Sequence, residues 1–474
     1  MRKSMWVAAT LSAAMLAVAA CSSGGAGTSS KADTSKNAGP NTSSAGDSAK
    51  NSVKPGEKVE IKWLMRSNPF ENKWEKEVVI PKFEKEHPNI KVNLIVVPSN
   101  EVDPKLSTMV AAGDPPDVFS MWGDSGFNEY YNKGLLLELT PYVKKDLHID
   151  DFVPGMFDIY AVDGKYFSVP QVSNFGQVMV YNKDLFKAAG LPDLPTSWSD
   201  TSWTWDKMVE YAKKLTKNYG QGANAQYGIV PDTEAHHLAY LWGTDPYLPD
   251  QYKTGFAPNS NLDDPGVIAA LQAAADLTYK DKVAPTPAET KTLQQMGDIF
   301  ATGKIGMAFK LPSQAYGNLK NVPFKWGLAP LPRVKDNKTA LYNGAWFIAK
   351  KSKHPDEAWE LIKYLLTPEN AKDMSEITGF LVPLKSATES WLDLFPEKTG
   401  MTKDQLREVI LNYPKNSVEN ANHLFANYRE MSTTLTQGLD ALWTGKSSAE
   451  DAIKAVKPKV DAVLKRTFDS KSKQ

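Results

Sequence analysis

The chain has one cysteine, Cys21, among 474 residues. A single cysteine permits no disulfide within the chain and no multi-cysteine zinc site. An excess of either charge is missing too, with 55 lysines and arginines facing 55 aspartates and glutamates. Without a basic field, non-specific nucleic-acid binding is excluded as the main task. No apolar run beyond the N-terminus approaches the roughly 20 residues that a membrane-spanning helix needs. Metalloprotease and nucleophile-elbow motifs, His-Glu-x-x-His and Gly-x-Ser-x-Gly, are absent. Gly445-Lys446-Ser447 ends like a phosphate-binding loop, but Asp440 stands where that motif needs glycine. The adjacent His236-His237 lacks the i,i+4 spacing of a helical zinc site and reads as loop or first-turn helix. No metal, cofactor or catalytic residue is expected.

What is present begins with a targeting segment. Arg2 and Lys3 precede an Ala-rich apolar run from Met5 to Ala19, too short to span a bilayer. Val18-Ala19-Ala20-Cys21 resembles the lipobox of bacterial lipoproteins, in which the cysteine becomes the lipidated first residue. Residues 1–20 thus read as a signal peptide and Cys21 as a membrane anchor. Residues 22–58 are rich in Ser, Gly, Thr, Asn and Lys and hold no aromatic side chain. Such a composition buries too little apolar surface to order itself. It predicts a tether with an end-to-end distance of about 30–36 Å. The tether is basic, whereas the chain after it has 48 basic against 52 acidic residues, which suits attachment to an anionic membrane.

From Val59 onward the pattern is globular. Val59–Trp63 alternates as a strand, and residues 72–86 read as a helix that Pro81 kinks and Pro88 ends. Ile90–Val97 and Asp117–Met121 read as strands around a helix over 102–112. Asp163-Gly164 marks a hairpin, and Gln177–Tyr181, 305–309 and Gly344–Ala349 read as further strands. Helices are expected over 204–217, 265–280 and 355–366, and the tail from Thr402 is mostly helical. Strands alternating with helices predict an α/β fold. The 13 tryptophans are many for a soluble protein and ask for a use.

Four segments in order carry a family resemblance: Trp74–Val92, Ala111–Leu139, Tyr181–Phe186 after Val169-Pro170, and Gly344–Leu366 with its Ser-Lys-x-Pro-x-x-Ala-Trp run. The chain resembles the extracellular solute-binding proteins of ATP-driven sugar importers, the group containing maltose-binding protein. The resemblance implies a two-lobed, type II binding-protein fold with an inter-lobe hinge and a mostly helical C-terminal region. Lobe 1 would comprise residues 59–168 and 308–366, and lobe 2 residues 169–307 and 367–474. It further implies a monomer that closes on a carbohydrate of oligosaccharide size and docks on the permease of an ABC transporter. An extracellular glycan-active hydrolase and a surface carbohydrate-binding lipoprotein remain the alternatives. The hydrolase would require two carboxylates across one glycosidic bond.

Sugars present hydroxyls and flat C–H faces, so their sites combine aromatic platforms with polar side chains. By resemblance, Trp122 and Asp124 in the loop after the third strand contact the ligand. Asn68 and Glu71 follow the first strand, where helix capping is the competing reading. Asn174 lies at the first lobe crossing. Trp242, Asp245 and Tyr247 match a family loop, with either ring available to stack on sugar. Beyond Met307 the family's usual tryptophan is replaced by Lys310-Leu311-Pro312-Ser313, so Lys310 and Ser313 would supply polar contacts, which leaves a different or acidic ligand open. Trp346 could compensate as a platform, or serve as a core residue.

Overall fold

Runs rich in β-branched and aromatic residues form the strands, and amphipathic segments between them form the covering helices. A computed structural model describes residues 58–121 and 125–471. Cys21, nearly all of the tether, Trp122 and Asp124 lie outside the described residues. In chain order the strands are β1 (Val59–Arg66), β2 (Ile90–Val97), β3 (Val118–Ser120), β4 (Ala161–Val162), β5 (Lys165–Tyr166) and β6 (Val169–Ser173). They continue with β7 (Val178–Asn182), β8 (Tyr227–Val230), β9 (Ile305–Lys310), β10 (Trp326–Ala329), β11 (Ala340–Leu341), β12 (Asn343–Ile348) and β13 (Val418–Glu419).

Two mixed sheets organise the molecule. The first has the order β2-β1-β3-β12-β6 and the second β10-β7-β9-β8. β1 runs parallel to β2 and β3, and β12 is antiparallel to both β3 and β6. In the second sheet β8 and β9 are parallel, and β7 is antiparallel to β9 and β10. Central strands are buried on both faces: Ile61, Trp63, Leu64, Phe119, Phe347 and Ile348 are all inaccessible to solvent. The rings of Trp63 and Trp346 meet edge to face at 5.4 Å. Such a pair contributes about 0.5–1.5 kcal/mol beyond its burial.

Local sequence signals hold at several places. β4 and β5 form the hairpin around Asp163-Gly164, both at positive φ. The helix over 72–86 is instead three pieces: an α-helical turn Pro69–Lys73, a π-helical stretch Trp74–Val79 and an α-helix Ile80–Glu86. The widened turn lies just before Pro81, whose missing N–H interrupts the α-helical ladder.

The chain passes between the sheets three times, and the crossings correct the boundaries expected from sequence. The first crossing is residues 174–177, between β6 and β7, because Val169–Ser173 pairs with β12 of the first sheet. The return falls after Ala329 rather than at Ala308. Met307, Ala308, Phe309 and Lys310 all pair with β7, which holds β9 in the second sheet, and β10 lies at that sheet's edge. The third crossing follows the helix Pro368–Thr378. That helix belongs with the first sheet's helices, since Lys82 binds its Glu369 and Asp373 at 2.8 Å each. The crossing runs along the hinge, with Ser173 N–H donating to Leu381 O at 2.7 Å. These boundaries depend on long-range pairing, which local sequence does not report.

Candidate functional site

In each sheet the parallel strands, β1, β2 and β3 in the first and β8 and β9 in the second, end on one edge. Such strand ends are the usual ligand position in α/β folds. β1, β3, β8 and β9 lead into Ser67 and Asn68, Met121, Pro231–Glu234 and Leu311–Ser313. The two halves touch on both flanks. On one flank the Lys320 ammonium lies 5.5 Å from the Phe70 ring centre. On the other, Asn128 donates to Leu424 O at 2.9 Å, and Asn427 N–H donates to Glu129 at 2.9 Å. Gly126 is required here, since a side chain would strike the backbone of Leu424.

On the first sheet's side, Glu71 is 1% exposed and grips Arg66 with two hydrogen bonds, at 2.8 and 3.0 Å. It orients the guanidinium at the end of β1 rather than offering its own carboxylate to a solute. Asn68 caps the following helix, accepting from the N–H of Phe70 and Glu71 at 3.0 and 3.2 Å. The capping alternative therefore describes its oxygen.

The hinge gathers the polar groups. Asp232 and His237 bond at 2.8 Å, and Gln177 of the first crossing donates to Asp232 at 2.9 Å. The other ring nitrogen of His237 meets the hydroxyl of Tyr342, from the second crossing, at 2.9 Å. Asn420 lies 3.1–3.2 Å from both His237 and His236. Burial opposes the charge on Asp232, but His237 and its hydrogen-bond donors hold the carboxyl down at about 2. Burial likewise pushes His237 down, yet the Asp232 carboxylate outweighs it and leaves the imidazole above its ordinary value. Burial and the neighbouring His237 drive His236 far below its ordinary value. A second cluster adjoins: Asn343 donates to Glu419 through its amide at 2.6 Å and its N–H at 3.0 Å, and His423 meets Glu419 at 2.6 Å.

Glu234 stands apart. It is exposed, at the start of the helix Ala235–Leu241, and its side chain bonds no helix N–H. Its carboxyl is nevertheless raised by desolvation, and its charge is felt by Tyr247, Tyr342 and Tyr428.

The remaining sequence candidates divide. Asn174 is 3% exposed at the first crossing, and its Oδ1 is buried without a hydrogen bond. Ser313 is 2% exposed beside the third crossing, its Oγ likewise unpaired, and so is Oε1 of Gln177. Buried polar atoms ordinarily have partners, so unpaired ones beside a cleft point to a ligand or water. Lys310 is closed off by an ion pair to Asp298 at 2.6 Å. Tyr247 is buried edge-on against Phe425 at 5.0 Å. Asp245 accepts from Tyr252 at 3.1 Å, and burial raises its carboxyl to about 6. Trp346 is corrected to a core residue, 1% exposed against Trp63, with no face free for a sugar. Trp242 meets Trp205 at 5.0 Å and lines an open groove of about 830 Å³ between the helices Trp205–Leu215 and Pro265–Tyr279. Sequence reasoning missed Arg66, Asp232, Glu234, Tyr342, Asn420 and Tyr428. The histidine pair was the one available signal, and both rings are buried in the first turn of their helix.

Comparison with known proteins agrees with this architecture. The family described as bacterial extracellular solute-binding protein matches residues 70–372. The chain is 24% identical over 417 residues to the sn-glycerol-3-phosphate-binding periplasmic protein of Pectobacterium atrosepticum, covering 83% of this chain and 88% of that one. Its fold is similar to an ABC substrate-binding protein of Listeria monocytogenes solved with cycloalternan, with a TM-score of 0.69 and 23% identity. That match covers 86% of this chain and 99% of the other. A maltose-bound T. maritima protein gives a TM-score of 0.67 at 24% identity, covering 85% and 99%. Both likenesses establish the two-lobed fold.

Proposed function

The chain belongs to the bacterial extracellular solute-binding proteins, and from that premise we propose that it captures a carbohydrate, of oligosaccharide size, between its lobes for an ABC permease. The observation that carries this reading is the set of buried, unpaired polar atoms at the crossings, on Asn174, Gln177 and Ser313. Gln177 also donates to Asp232, which accepts from the N–H of Glu234. Hydroxyl-rich solutes satisfy such atoms, and tyrosine rings suit the apolar faces of pyranoses. Trp122 and Asp124, outside the described residues, are assigned to the ligand site from the family resemblance. A ligand that touches both lobes favours their closed arrangement by its differential affinity.

The protein acts by binding, with no catalytic residue, as a monomer. It is anchored through lipid on Cys21, outside the cytoplasm, with residues 22–58 as the tether. Thermal denaturation against neutral, amino and acidic oligosaccharides tests the reading. A binding saccharide raises the melting temperature, by about 2.7 kcal/mol of stabilisation at a hundredfold excess over Kd. Turnover of any oligosaccharide would favour the hydrolase instead. Cys21→Ser is expected to release the protein from membranes with affinity unchanged; retention on the membrane would refute the anchor.

A further inference from the structure

The groove beside Trp242 is a concavity separate from the lobe junction. Its volume of about 830 Å³ lies within the roughly 300–1,000 Å³ of small-molecule sites. Every residue that lines it falls between Thr204 and Val334, in the second lobe and the start of the second crossing. A solute held there touches one lobe alone, so it gains nothing from closure. One wall is aromatic: the half-buried Trp242 meets the buried Trp205 edge to face, and Val209 and Ala273 extend the apolar lining. Most of the rim charge is already matched. Lys213 pairs with Asp281 at 2.7 Å, Lys280 with Asp276 at 3.5 Å, and Glu210 with Lys207 and Lys214 at 2.8 Å each.

Two rim groups are unengaged. The backbone of Arg333 is pinned, its N–H donating to Trp203 O at 2.9 Å and its C=O accepting from the Trp205 N–H at 3.0 Å. Its Nε is nevertheless buried without a hydrogen bond, and among the described residues its guanidinium has no carboxylate partner. Asp206, exposed in the first turn of the helix Trp205–Leu215, likewise has no cation partner among them. A buried donor without a partner, beside a cavity, points to a ligand or water. We infer that this groove is a second carbohydrate site, which holds a neutral sugar chain on the outside of the second lobe while the cleft takes its own solute. Indole walls suit the C–H faces of pyranoses, Arg333 donates to sugar oxygens, and Asp206 accepts from hydroxyls. One free cation and one free anion leave no net charge to favour an ionic ligand. A groove that is open, not enclosed, admits a chain longer than itself. Trp242, expected from the resemblance to stack on sugar, would do so here. The ligand class rests on the carbohydrate reading above; the second site goes beyond it.

The test is isothermal titration of the full chain with maltohexaose, mannohexaose, cellohexaose and chitohexaose, repeated on Ala273→Arg, which fills the groove, and on Arg333→Gln. At least one hexasaccharide is expected to bind wild type with two equivalents per chain. Ala273→Arg should abolish one of them and leave the affinity of the other within about twofold. Arg333→Gln should weaken that same equivalent by about fivefold or more. Both free variants should melt at the wild-type temperature. Retention of every wild-type equivalent at unchanged affinity in both variants overturns the groove and leaves capture in the cleft standing. A single equivalent that Ala273→Arg abolishes supports the groove and overturns capture in the cleft. Loss in Ala273→Arg with no change in Arg333→Gln overturns the role given to Arg333. Binding of no hexasaccharide overturns both readings.

Discussion

At the scale of single residues, burial separates side chains that the sequence leaves equivalent. The sequence offers both Trp346 and Trp122 as sugar platforms, and nothing local says which ring faces a core. The pairing of β12 between β3 and β6 puts Trp346 inside the sheet, against Trp63. Trp346→Ala is therefore expected to cost about 3–5 kcal/mol of stability in urea unfolding, as for other buried tryptophans. A purely ligand-contacting role would leave that stability nearly intact. Glu75 offers a second case. It is fully buried in the π-helical stretch, and burial lifts its carboxyl to about 8, against an opposing hydrogen bond from Asn72. Its value in the unfolded chain is about 4.5. A raised acid is penalised on ionising in the folded state, so stability falls as pH rises from 4.5 to 8 and is level above. Glu75→Gln should thus be near neutral at pH 4.5 and stabilising by about 1–3 kcal/mol at pH 8. An equal effect at both pH values would contradict the assignment. Asp232 was illegible in the sequence for a plain reason: among 55 acids, only three-dimensional surroundings mark the one that His237 binds.

At the scale of elements, the strands and the hairpin were legible, because alternation and Asp-Gly turns are local signals. The crossings were not. Whether an extended segment joins one sheet or the other depends on partners more than a hundred residues away, as with β9 on β7. The same holds for His237, whose bonds to Asp232, Tyr342 and Asn420 tie it to the first crossing through Gln177, to the second crossing, and to the segment after β13. Glu234, His236 and Asn420 also face this ring, and Glu419 and His423 lie beyond Tyr342. The pair makes hinge stability depend on pH. A histidine raised by folding stabilises fully below its unfolded value of about 6.5 and loses that contribution as pH rises through its folded value. Asp232, held at about 2, stays ionised throughout. The melting-temperature gap between wild type and His237→Gln should be widest at pH 6 and shrink towards pH 9. A gap that widens with pH would contradict the ion pair.

At the scale of the whole molecule, two sheets joined by three crossings form lobes that touch at Phe70 and Lys320 on one flank and at Asn128 and Leu424 on the other. Few of those contacts are large or apolar, so the lobes can part without unfolding either core. Parting would open the crossings that hold the unpaired atoms of Asn174 and Gln177, and closing on a saccharide would satisfy them. The central claim is that a saccharide is captured by closure of these lobes. Small-angle X-ray scattering of the protein, alone and with a saccharide that binds by calorimetry, tests it most directly. The account predicts a smaller radius of gyration with the saccharide, and a scattering curve that fits the lobe-to-lobe contacts described here. A bound saccharide that leaves the radius of gyration unchanged, in an arrangement with the lobes apart, would contradict it.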